Sequence, residues 1–198
     1  MHRVLRFRWP AALALALGSL PALLSAQAAP APLRGPAHHR TQAPAPHPCV
    51  AFVAGLPNVK RPLCEAAALR ATEGRSVQGR TLYARDVVAP GAKLRVLVIG
   101  AIHGDELSSA SLALHWIQHA VQSPSNAHWR FIPALNPDGL MARPAKRVNA
   151  RGVDLNRNFP TPNWTRDAKI YWEQRTKKDP RRWPGPKTLS EPESAFFH

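Results

Sequence analysis

The chain has 198 residues, 44% of them hydrophobic, with 27 lysines and arginines against 12 acids and a formal charge of +15 at pH 7. That length holds one modest domain and excludes a multidomain machine, while six tryptophans and six phenylalanines supply the core mass that a generally disordered chain lacks. The basic character is not confined to the amino terminus: the first 27 residues contribute only Arg3, Arg6 and Arg8, so the remainder stays strongly cationic.

Those three arginines precede Ala11 to Leu24, 14 residues without a charge, and small residues around Ser25-Ala26-Gln27-Ala28 follow. This arrangement predicts an export signal over residues 1–27, cleaved near Ala26 to Ala29. The apolar run falls short of the roughly 20 residues that a membrane-crossing helix needs. No stable membrane span is therefore expected after cleavage, and the mature protein is expected to be exported, periplasmic or secreted. Residues 28–48 place Pro30, Pro32, Pro36, Pro44, Pro46 and Pro48 among alanines and histidines, which disfavours helix and sheet core alike. They read as an extended linker, with His38, His39 and His47 as solvated residues rather than ligands. In the next segment, 49–79, export makes Cys49 and Cys64 a candidate disulfide, which would contribute ~3 kcal/mol on the chain-entropy argument. Two unrelated thiols are the alternative. The folded body is expected to start between Val50 and Arg80, with the main domain over residues 80–198.

Thr81 to Val88 reads as a short strand and turn. Leu94 to Ile102 is the strongest strand in the chain, and its near-continuous apolar run suits a strand buried on both faces of a helix-covered sheet. Leu107 to Val121 reads as a helix, with Ala110, Ala113, Leu114, Ile117 and Val121 spaced by three and four. Trp129 to Leu135 supplies a second strand. The fold class is therefore α/β, and polar loops follow both strands: His103-Gly104-Asp105-Glu106 and Asn136-Pro137-Asp138-Gly139. Loops at the carboxyl ends of strands are where open α/β sheets place their chemistry. His103 and Glu106, three residues apart, can direct an imidazole nitrogen and a carboxylate at one centre, a donor pair that suits zinc. An ordinary hydrogen-bonded turn has the same spacing.

The ordered set of these two loops, Arg147-x-Asn149, and Gly152-Val153-Asp154-Leu155-Asn156-Arg157-Asn158-Phe159-Pro160 resembles the zinc carboxypeptidase family, in its compact bacterial branch containing murein-peptide amidases. The resemblance spans roughly Gly79 to Phe197 and implies the N-terminal portion of a mixed-sheet, helix-covered zinc carboxypeptidase-like domain. It implies Zn(2+) as cofactor, His103 and Glu106 as its first two ligands, and Arg147 polarising the substrate carbonyl. Asn156 and Arg157 would hold a terminal carboxylate, and Asp154 would orient His103. On composition alone the Asp154–Phe159 string reads as an Asx-rich turn; the order of the motifs reverses that preference. Asp105 has no evident role, Asp138 and Gly139 read as a turn, and His115, His119 and His128 read as surface or loop residues.

The family mechanism activates water and polarises a peptide carbonyl at zinc, with a glutamate moving the proton. The family's third ligand, a histidine beyond the helix at Ser190–Glu193, and its catalytic glutamate have no match before His198, which follows that helix too closely. The chain is expected to be a fragment, a truncated product or an inactive remnant, with weak zinc binding and an open sheet edge. The implied activity is a metallocarboxypeptidase-like hydrolase acting on a short peptide with a free carboxylate, murein peptide foremost. A zinc-dependent deacylase of N-acyl amino acids and a noncatalytic cell-wall-binding remnant are the alternatives. Between Arg166 and Lys187 stand eight basic and three acidic residues with Trp164, Trp172 and Trp183 close by. No nucleic-acid motif is present there, so nucleic acid is not the expected partner; a solvated basic face is the expectation, ahead of anionic wall polymer. Ser190 to Glu193 reads as a helix start with Ser190 as its cap.

Overall fold

The computed structural model describes residues 47–123 and 126–198. The expected export signal over 1–27, and the expected linker apart from His47 and Pro48, lie outside the described residues. Among the described residues no helix is long and apolar enough to cross a membrane.

Four strands, β1 (Arg70–Arg75), β2 (Thr81–Val87), β3 (Leu94–Ile99) and β4 (Ala127–Ile132), form one mixed sheet in the order β1-β2-β4-β3. β2 is antiparallel to both β1 and β4. β3 and β4 run parallel in unbroken register from Leu94 opposite Ala127 to Ile99 opposite Ile132, which requires the long crossover supplied by helix α3, Leu107–Gln122. Alternation along the strands sends residues to two cores. Phe131, with Val87, Val98 and Trp129, packs beneath α3; Leu82, Ala84, Ile132 and Ile99 meet Leu155, Phe159, Phe196 and Phe197 on the other face. The domain is thus an α/β fold whose mixed sheet is covered by helices.

Among the described residues the first helix begins at Cys49, one residue ahead of the interval expected for the folded body. Helices α1 (Cys49–Gly55) and α2 (Arg61–Ala66) are joined by a Cys49–Cys64 disulfide. Cys49, Phe52, Leu56, Val59 and Cys64 share the cluster of Leu114, Ile117 and Phe131. Segment 49–79 is therefore continuous with the main core, and β1 pairs with β2 across residue 79. Pro57 and Pro62 break this stretch into helices too short to show a period, which hides its apolar content from a pattern reading.

Three further elements differ from expectation. β3 ends at Ile99 and pairs with β4 alone among the described residues, leaving Leu94 60% and Leu97 47% exposed; a continuous apolar run permits two-sided burial, but neighbouring elements decide it. β4 begins two residues earlier than the expected strand and ends at Ile132, before Pro133. On α3, Val121, expected on the apolar stripe, is exposed, whereas Ser111 is buried with its hydroxyl donating to the Pro57 carbonyl at 2.8 Å. The remaining helices are α4 (Pro137–Met141), α5 (Trp164–Ile170), which runs on as a π-helical turn over Tyr171–Arg175, and α6 (Pro192–Phe197). Glu191, not Ser190, sits at the α6 N-cap, without a capping side chain.

Candidate functional site

Two strand-end loops run side by side because backbone bonds continue past the sheet: Leu135 N–H donates to the Gly100 carbonyl at 3.1 Å and Asn136 N–H to Ala101 at 2.9 Å. Ala101 takes a positive φ of 42°, a strained conformation for an L-residue, and its N–H is held by Ser109 Oγ at 2.8 Å. The loops touch at Gly104, where an added Cβ would lie 2.3 Å from the Gly139 carbonyl carbon, so only glycine permits the contact. The Arg147 carbonyl then accepts from Gly104 N–H at 3.2 Å and from Asn136 Nδ2 at 3.0 Å, docking the third motif onto the first two.

His103, Glu106, Arg147 and Asp154 converge at this junction. Asp154 is completely buried, and its Oδ1 accepts from His103 Nε2 at 3.1 Å and from Asn156 N–H at 3.1 Å. Its Oδ2 accepts from Arg147 Nε at 3.1 Å and Nη2 at 3.0 Å. Burial pushes this carboxyl upward, but the hydrogen bond from His103 and the charge of Arg147 outweigh it, holding Asp154 below the usual carboxylate range. An ionised Asp154 requires Nε2 to carry a hydrogen, which leaves Nδ1 as the ring nitrogen that faces Glu106. Nδ1 lies 2.9 Å from Glu106 Oε1. A ring nitrogen and a carboxylate oxygen at that separation share a proton or a cation. The Glu106 side chain is half exposed whereas that of His103 is sealed, so the shared point faces solvent at its outer side. Arg147 Nη1 reaches within 3.6 Å of the same oxygen.

Neutral nitrogen and carboxylate oxygen are chemically suited to zinc, and with Nε2 committed to Asp154 the nitrogen left for a metal is Nδ1. These two donors fit. Among the described residues, however, no group of three or more histidines, cysteines, aspartates or glutamates is arranged to hold a metal ion. His198 closes α6 on the exposed surface.

Asn156 and Arg157 lie on a 3-10 turn, Leu155–Arg157, capped by the Asp154 side chain. The turn lines a cleft of about 610 Å³ together with Trp164, Tyr171 and Arg182. The stretch 181–184 straps this wall to the site. Arg147 Nε donates to the Arg181 carbonyl at 3.1 Å, Asp154 N–H to Trp183 at 2.8 Å, and Asn158 Nδ2 to Pro184 at 2.8 Å. Asp105, without a role in the sequence, pairs with Arg181 at 2.8 Å. Asp138 does more than form a turn: buried, it accepts from Ser76 Oγ at 2.7 Å and Gln78 N–H at 2.9 Å, and pairs with Arg80 at 3.2 Å, anchoring the β1–β2 connection. His115 is a surface residue, 3.3 Å from the Asn58 carbonyl.

Supporting residues that sequence reasoning left without roles lie one layer deeper. Asn149 accepts from Arg151 and Val153 N–H groups, both at 3.0 Å, and donates to Glu191 at 2.7 Å and Glu193 at 3.3 Å. Asn158 ties the motif to Lys187 and Ser190. Their presence in the quoted motifs was the available signal; their partners, up to 44 residues away, gave none.

The profile of the zinc carboxypeptidase family matches residues 67–197. Murein peptide amidase A of Escherichia coli is 35% identical over 145 residues, covering 69% of this chain and 56% of that protein. Carboxypeptidase SOL1 of Arabidopsis thaliana is 39% identical over 101 residues, covering 44% of this chain and 20% of its own length. The chain thus spans little more than half the length of the bacterial relative and a fifth of the plant one. In fold it is similar to the carboxypeptidase A of Helicoverpa armigera, with a TM-score of 0.53 at 23% identity over 68% of this chain and 38% of that one.

Proposed function

The chain belongs to the zinc carboxypeptidase family, and from that premise we propose that it carries the metal-liganding and carboxylate-recognising residues of a zinc-dependent hydrolase for short peptides with a free carboxylate, murein peptides foremost. The observation that carries this reading is the convergence of His103 Nδ1 and Glu106 Oε1 at 2.9 Å, with the opposite ring nitrogen already committed to Asp154.

His103 and Glu106 would hold the zinc, which supplies Lewis-acid polarisation of a carbonyl and an acidified water when bound. Asp154 keeps the His103 ring in one orientation and tautomer. Arg147, steadied by Asp154 and the Arg181 carbonyl, keeps Nη1 toward Glu106, where a guanidinium can stabilise a developing oxyanion. Asn156 and Arg157, one turn away, hold the peptide's terminal carboxylate, a group that guanidinium recognises by paired hydrogen bonds. The disulfide favours an oxidising compartment, in keeping with the export signal proposed over residues 1–27.

Zinc uptake by the intact chain, measured against a chromophoric chelator, tests this reading. Binding that is lost in His103→Ala and weakened about 10- to 100-fold in Asp154→Asn is expected; no uptake by the unaltered chain refutes it. Incubating the zinc-loaded protein with a murein tripeptide and with acylated amino acids assigns the reaction, since turnover of only the latter would move the chain to the deacylases.

A further inference from the structure

A second cavity, of about 410 Å³, lies where the amino end of β2 meets α1 and α4. It shares no residue with the His103, Glu106, Arg147 and Asp154 cluster or with the turn that carries Asn156 and Arg157. Its apolar wall includes the buried residues Phe52, Ala134 and Pro137, and Met141 adds an unbranched side chain that adapts to a flexible ligand. These four side chains carry no hydrogen-bond donor, so a sugar or a polar peptide would give up its water there without compensation. Two other side chains lining the cavity can donate. Arg80 reaches Asp138 through Nε, 3.2 Å from Oδ1, pairs with no other acid among the described residues, and keeps 48% of its side chain exposed. Asp138 does not depend on Arg80 alone, since it also accepts from Ser76 Oγ and Gln78 N–H. His47 Nδ1 accepts from Cys49 N–H at 3.4 Å, which leaves Nε2–H as a donor. Among the described residues no acid lines the cavity.

We propose that this cavity binds a medium-chain aliphatic carboxylate, with the chain against Phe52, Pro137 and Met141 and the carboxylate on Arg80. The charge complementarity is direct: the one charged residue among those lining the apolar walls is a cation. A guanidinium whose Nε faces one carboxylate can offer its terminal amino groups to another. The volume falls within the roughly 300–1,000 Å³ of small-molecule sites, which are likewise mostly apolar with a few polar groups that fix orientation.

Calorimetric titration of the intact chain with hexanoate, octanoate and octanamide tests this. Octanoate is expected to bind about 15-fold more tightly than hexanoate, since each methylene removed from water is worth roughly fourfold in affinity. It is expected to bind about tenfold more tightly than octanamide, the effect of one charge-assisted hydrogen bond at a partly exposed site. Arg80→Gln is expected to bring octanoate and octanamide close to equal affinity. Ala54→Trp, at an exposed position of α1 that lines the cavity, is expected to abolish binding of both while leaving the Arg80–Asp138 pair in place. Equal affinities of octanoate and octanamide in the unaltered chain overturn the carboxylate assignment, and an affinity indifferent to chain length overturns the apolar one. Absence of binding, or binding undiminished in Ala54→Trp, overturns the proposal as a whole.

Discussion

Asp154 beneath the candidate site and Glu193 beneath α6 are both completely buried carboxylates, yet their surroundings drive them in opposite directions. Around Asp154, burial is outweighed by the His103 hydrogen bond and by Arg147, and the group is held below its ordinary range. Around Glu193, burial dominates. Val77 N–H donates at 3.0 Å and Asn149 at 3.3 Å, but no cation pairs with it among the described residues, and Asp138 adds like charge, so the carboxyl is pushed up. Burial is common to both; the His103 hydrogen bond and the Arg147 charge, which Glu193 lacks among the described residues, set the opposite directions. The one held down lies in the region that orients a candidate metal ligand, the one pushed up in the region that fastens α6.

If that contrast is correct, the largest loss follows from neutralising the charged member. Asp154→Asn keeps the shape but removes the charge that makes two hydrogen bonds with Arg147, whose side chain is only 14% exposed, and leaves it the longer contact with Glu106 at 3.6 Å. A stability loss of about 3 kcal/mol is expected in urea denaturation, and a loss near zero would mean that Arg147 finds another partner. On the other side, Asn149→Ala removes four hydrogen bonds at once and leaves two buried carboxylates and two N–H groups short of partners. A loss of about 2 kcal/mol is expected by the same measurement.

Glu193→Gln sharpens the comparison through its sign. The folded value of Glu193 lies above the unfolded value of 4.5, so its contribution is fully present below that unfolded value and is lost as pH rises through the raised one. The glutamine variant keeps an acceptor for Val77 N–H and has no charge to desolvate. It is expected to gain on the unaltered chain as pH rises from about 4 to about 8, by less than either loss above. A variant that instead loses ground toward neutral pH would show that Glu193 is stabilised as an anion.

This contrast marks how far the sequence could be read. His103, Glu106, Arg147 and Asp154 stand in short ordered motifs whose residue types state their chemistry, and the strand-loop-helix pattern around them places the loops at one sheet edge. Glu193 is different: in sequence it looks like an early acidic residue of a helix, whereas its partners, Val77 and Asn149, lie 116 and 44 residues away. Nothing local distinguishes a solvated helix-start glutamate from a sealed one. The disulfide-linked helices escaped for a related reason, since elements of seven and six residues are too short to carry a period. Of the basic stretch after Arg166, only the charge was legible; that its 181–184 portion reaches back to Arg147 and Asp154 depends on backbone carbonyls, which carry no residue signature.

The strap supplies the smallest prediction and the limiting case of the comparison. Asp105 and Arg181 form a shorter ion pair than Arg147 and Asp154, at 2.8 Å against 3.0 Å, but their side chains are 25% and 58% exposed. Water and salt screen an open pair, so length alone does not make it strong. Arg181→Ala removes the pair while retaining the Arg181 carbonyl that accepts from Arg147 and the Trp183 carbonyl that accepts from Asp154 N–H. Its cost is expected to stay within about 1 kcal/mol and to shrink as salt is raised, measured by urea denaturation at low and high ionic strength. A larger loss that salt does not alter would mean that the strap is docked by its side chain, and that the sealed carboxylate at Asp154 depends on an exposed one at Asp105.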